Sequence, residues 1–147
     1  MYAEIKSATF EDISTKTKLI ITDFSDVGMS TPFKKVYINL NELNKYRWPE
    51  DVVRGAIAHE LAHQVSYQRR SFLGRFWFLR NYLFSPSGRR RVEREADEIA
   101  IRRGYGREIV QVRIYQFHYG DKKRAEVEKK IYLPVEALEE LIEEESN

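Results

Sequence analysis

Two imidazoles and a carboxylate stand together in His59-Glu60-Leu61-Ala62-His63, and their spacing suits chemistry. On a helix, residues four apart leave the same face one turn apart, so His59 and His63 can converge on one cation. Glu60 projects about 100° round from His59, close enough to reach a water on that cation without ligating it. That is a general base's position. The bland alternative is a pair of histidines that cap carbonyls or fill a core. Against it, two of the chain's three histidines fall within these five residues. The flanking run, from Val52 through Ile57 and Leu61 to Val65, is nearly apolar, so the helix reads as buried. A Glu between two histidines is costly there unless something positive sits beside it.

The element that must carry these residues spans Pro49 to Arg70. Pro49 suits a helix start, Glu50 and Asp51 complement the positive end of the macrodipole, and only Gly55 weakens the run to Gln68. Two histidines do not hold zinc alone; three protein ligands and one open position make the catalytic pattern. The third candidate lies 30 residues past His63, in Glu93-Arg94-Glu95-Ala96-Asp97-Glu98. Glu93 and Asp97 share a helical face, with small Ala96 and Ala100 beside them to permit close helix approach. Glu93 is the expected ligand and Glu95 its rival. Asp97 would accept the free N–H of His59 and fix its tautomer. Taken alone, this stretch would read as solvated charge paired with neighbouring arginines.

H-E-x-x-H followed by E-x-x-A-D on a later helix resembles the pattern of gluzincin zinc metallopeptidases. The chain is most similar to minigluzincins and to the catalytic core of CAAX prenyl endopeptidases and heat-shock membrane proteases, over about Val36 to Gly104. The resemblance implies an α+β, zincin-like metallopeptidase domain: a small, mostly antiparallel N-terminal sheet, the active-site helix and a helical C-terminal half. It implies Zn2+ held by His59, His63 and Glu93, with Glu60 taking a proton from zinc-bound water that attacks a peptide bond. It also implies a strand on the cleft rim that holds substrate extended; Val36-Tyr37-Ile38-Asn39-Leu40 is the expected equivalent. His118 and Tyr105 are candidate transition-state stabilisers, with Tyr115 and Tyr119 behind them.

The 147 residues suit one domain, strand-rich over 1–48 and helical over 49–147. Tyr2 to Ile13 shows some alternation, Lys18 to Phe24 and Val36 to Leu40 read as strands, and Ser25 to Pro32 as a turn. A third long helix is expected from about Arg89 to Arg103, ending at Gly104. Over Arg107–Tyr119 the spacing of Val110, Ile114 and Phe117 favours a helix, although Val110, Val112 and Ile114 would also serve a strand; helices are expected over Lys122–Tyr132 and after Pro134.

No cysteine is present, so neither disulfides nor a thiolate zinc site can form. The start lacks a signal-peptide layout and no apolar run reaches 18 residues, so a cytoplasmic protein is expected. Net charge is only +2, but residues 64–124 carry 15 Lys/Arg against 6 Asp/Glu, while residues 125–147 carry 2 against 8. No nucleic-acid reader motif accompanies the basic middle, so no nucleic-acid partner is expected; the resemblance implies a peptide or protein substrate. The acidic tail, Glu136 to Glu145, could fold onto that middle or block the cleft, leaving the enzyme latent; a solvated helix face is the plainer reading. The aromatic stretch Phe72–Phe84 has Phe72, Phe76, Leu79 and Leu83 at core-helix spacing. Otherwise it would cover the cleft, make a homodimer contact, or rest in a membrane interface. Two functions compete: an active zinc endopeptidase, and a catalytically silent zincin-fold module that binds or regulates. Glu60 favours the first, because a silent module has no need of a base beside the metal.

Overall fold

The computed structural model describes residues 1–23, 28–118 and 122–146. Its elements run α1 (Tyr2–Thr9), β1 (Lys18–Ile21), β2 (Gly28–Thr31), β3 (Lys35–Ile38), α2 (Leu40–Lys45) and α3 (Glu50–Gln68). Then come α4 (Phe72–Phe84), α5 (Pro86–Ala100), a widened turn (Ile101–Tyr105), α6 (Gly106–His118), α7 (Lys122–Glu128) and α8 (Val135–Ser146). The protein is α+β. Phe24 to Val27 and Tyr119 to Asp121 lie outside the described residues, and with them Tyr119 and part of the expected turn.

The molecule is built around α3, of whose 19 residues 14 are buried. A helix apolar on one stripe would need one partner layer; one buried almost all round needs several. α5 and α6 pack along it, and β2 lies across it. Ala96 and Ala100 of α5 are fully buried, as are Ala58 and Ala62 of α3, so no long side chain holds the two helices apart. Gly55 lets α6 approach as closely: a Cβ there would lie 2.5 Å from the Glu108 carbonyl oxygen. Gly55→Ala is therefore expected to destabilise despite the better helix propensity of Ala. Pushing α6 away should cost more than the ~1 kcal/mol that propensity returns, for a net loss of about 1–2 kcal/mol. Thermal unfolding would show it, and a raised Tm would contradict this packing.

Helix ends follow local chemistry. Ser71 Oγ accepts from the Gly74 N–H to start α4, and Ser85 Oγ accepts from Gly88 N–H to start α5, with Pro86 in its first turn. Gly104, at φ 87°, breaks the run from α5 into α6. One core cluster joins Ile5 and Phe10, Val36 and Ile38 of β3, Leu61 of α3, Ile109 of α6 and Leu138 of α8.

Four expectations need correction. Tyr2–Thr9, where some strand-like alternation stood in a part expected to be strand-rich, is a helix with Ile5 buried. Part of the expected turn is a strand, β2, because Gly28–Thr31 pairs antiparallel with β3. The sheet is mixed, not mostly antiparallel: its order is β1-β3-β2, and β1 runs parallel to β3. Finally, Phe72, Phe76 and Leu83 do not face the core. They are exposed, and Phe78 is the buried residue of α4.

Candidate metal centre

α3 is unbroken through the motif, so both imidazoles leave one face. Their ring centroids are 4.7 Å apart with the planes at 86°, and the two Nε2 atoms stand 3.2 Å apart. α5 brings Glu93 Oε2 to 3.1 Å from His59 Nε2 and 3.4 Å from His63 Nε2. A tetrahedral ion with bonds of about 2.0–2.1 Å needs its donors roughly 3.3 Å from one another. The observed triangle has that size, and all three residues are buried. The His59-His63-Glu93 group could hold a metal ion.

The donor chemistry agrees. His59 Nδ1 lies 2.8 Å from Asp97 Oδ1. With that nitrogen donating to Asp97, Nε2 turns a lone pair toward a carboxylate and a second imidazole. Such acceptors repel unless a proton or cation lies between them. In the metal-free chain a proton does this. Burial works against charging His59, but the hydrogen bond and charge of Asp97, and then Glu93, outweigh it and raise its pKa to about 10. Burial likewise opposes ionisation of Glu93, yet His59 and His63 hold its pKa well below the usual range. Loading a divalent cation at neutral pH should therefore expel about one proton per ion, readable with an indicator dye in weak buffer. Loading with no proton release would mean that the ion sits elsewhere.

Asp97 takes the place expected of it and has a further partner. Arg113, buried on α6, donates from Nη2 to Asp97 Oδ1 and from Nε to Asp97 Oδ2 at 3.3 Å. Its guanidinium lies 3.7 Å from the Tyr132 ring centroid. Nothing in the sequence reading assigned Arg113 or Tyr132. The signal was an arginine on the helical stripe of Gly106, Ile109 and Val110, which are all buried. His63 has no counterpart to this support. Its Nδ1 finds no hydrogen-bond partner among the described residues, and the ring is held by packing between His59 and Tyr67.

Glu95 is not in the triangle. It pairs with Arg70 at 2.8 Å and accepts from Ser66 Oγ at 2.9 Å. Glu60, one residue past His59, stands against β2: a Cβ on Gly28 would lie 2.7 Å from Glu60 Oε1. Beside these residues opens a cavity of about 360 Å3 whose walls include β2, α4, Arg113 and Tyr132. Tyr67 and Tyr82 also line it, and burial, followed by the nearby Glu60 and Glu93 charges, raises both phenol pKa values above the ordinary range. Both remain neutral donors at any working pH.

Other expected site residues lie elsewhere. His118 is exposed at the end of α6, its Nδ1 3.0 Å from the Ile114 carbonyl oxygen. Tyr105 is buried in the core, its hydroxyl 2.9 Å from Thr9 Oγ1. Neither borders the cavity, and Tyr115 packs on Trp48. The strand Val36–Leu40 is not the rim. Val36, Tyr37 and Ile38 lie in the central strand with both edges paired, Asn39 caps α2 through its side chain, and Leu40 begins that helix. The rim strand is β2, whose Gly28, Met29, Ser30 and Thr31 line the cavity. Gln64, one residue past the motif, fastens β2 to α3 by donating to the Thr31 carbonyl at 2.8 Å. The acidic α8 packs on α6 and pairs Glu145 with Arg102 at 2.9 Å, and none of its described residues lines the cavity.

No helix among the described residues is long and apolar enough to cross a membrane. Comparison with protein-family models, curated proteins and solved structures found no match for this chain.

Proposed function

We propose that the chain is a zinc-dependent endopeptidase with a zincin-like fold. The observation that carries this reading is the buried His59-His63-Glu93 triangle with Glu60 beside it, opening on a cavity bordered by an edge strand. An all-nitrogen-and-oxygen donor set of this size suits zinc. The chemistry zinc supplies when bound is Lewis acidity toward a carbonyl and a water.

The chain's own residues do the rest. Glu60 is the base: it takes a proton from the attacking water and returns it to the leaving amine. Asp97 fixes the His59 tautomer, and Arg113 holds Asp97 ionised and in place. A peptide would lie extended along the free edge of β2, exchanging main-chain hydrogen bonds with it. Among the described residues β2 pairs with β3 alone, so its other edge faces no strand.

The test is metal content and hydrolysis together. The purified protein should hold one zinc per chain and cleave an unstructured casein-like substrate. Chelation should stop cleavage and one equivalent of zinc should restore it. Stoichiometric zinc with no cleavage of any unstructured substrate would sink the proposal and leave a silent binding module.

A further inference from the structure

We infer that α4 is a docking surface for a membrane carrying anionic lipid, lying in the headgroup layer without crossing it. The inference does not depend on the hydrolytic reading above. α4 is amphipathic in the reverse of the usual sense. Phe78 and Tyr82 face inward, whereas Phe72, Leu73, Phe76, Trp77, Leu83 and Phe84 are exposed, Phe72 and Phe84 by 82% and 80%. At 100° per residue these six occupy an arc of about 140°. The one polar side chain within that arc is Arg80, whose guanidinium lies over the Trp77 ring at 4.3 Å. Water gains nothing from such a face.

Charge says what covers it. Between Glu60 and Glu93 there is no acidic residue, and the same stretch holds seven arginines. Arg69, Arg80 and Arg91 are exposed. A second copy set against this face would bring arginines together with no carboxylate from the same stretch to separate them. A lipid interface satisfies both features, since acyl chains take the aromatic arc and phosphates take the guanidinium groups.

A second apolar projection also borders the cavity. Phe33, in the turn between β2 and β3, is 75% exposed and is followed by Lys34 and Lys35. Phe33 and Leu83 both line the cavity, so each projection reaches it. Docking through them would hold the cavity close to the lipid surface.

The experiment is vesicle sedimentation of the full chain at two salt concentrations. Vesicles of 30% phosphatidylglycerol in phosphatidylcholine should bind on the order of 100-fold better than pure phosphatidylcholine, an increment expected of about three arginines near the surface. Raised salt should weaken the difference. Brominated lipid should quench emission from the wild type, and W77F should remove most of that quenching while still binding. The triple variant F72S/W77S/F84S alters exposed side chains only, so its thermal unfolding should match the wild type while its binding falls at least tenfold. No binding at millimolar anionic lipid would overturn the inference. So would binding unchanged in the triple variant, or a concentration-dependent dimer that the triple variant abolishes.

Discussion

Glu60→Gln should lower peptide hydrolysis by about a thousandfold while the protein keeps its metal. The range follows from removing a positioned proton acceptor, which costs ~10²–10⁴ in rate. Gln preserves the volume and the contact with β2, where the Glu60 side chain fits against Gly28. The three converging ligand atoms belong to His59, His63 and Glu93, so zinc per chain should not change. The pairing of readouts matters, because loss of rate with loss of metal would show only that the site collapsed. Retained hydrolysis with full metal would remove Glu60 from the mechanism and the proposed function with it.

The second large effect concerns stability. Arg113→Met keeps an unbranched apolar stem but removes the guanidinium, leaving Asp97, which is fully buried, with one partner fewer. Breaking a buried ion pair from one side costs about 3–5 kcal/mol. In a chain of this size that corresponds to a fall in Tm of roughly 10 °C. Zinc affinity should drop as well, because Asp97 orients His59. Adding Asp97→Asn to Arg113→Met should recover part of the stability, since no carboxylate then lacks its guanidinium. A loss under about 1 kcal/mol in the single variant would show that water reaches the pair.

What could be read from the sequence was what depends on local spacing. His59 and His63, and again Glu93 and Asp97, lie one helical turn apart, so helix geometry alone puts each pair on a face. The triangle they make needed only that two helices meet, and the four small alanines between them were visible too. What could not be read depends on contacts distant along the chain. Gly28-Met29-Ser30-Thr31 has the composition of a turn, and it becomes a strand through pairing with β3 and the Gln64 bond. Arg113 was passed over because a charge on an apolar stripe looks like an interruption until its buried partner is known. α4 misled in the opposite way: its apolar spacing was real, but periodicity says that a face exists and not which way it points. For His118 and Tyr105, residue type was right for the chemistry and placement was not.

The bare Cα of Gly28 ties two stretches that share no local sequence. Any side chain acquired at that position would strike the Glu60 carboxylate, so the segment that would grip a substrate and the group that would move its proton cannot drift independently. Divergence in what this protein accepts would have to be written farther out, at exposed cavity-lining positions such as Phe33 and Leu83.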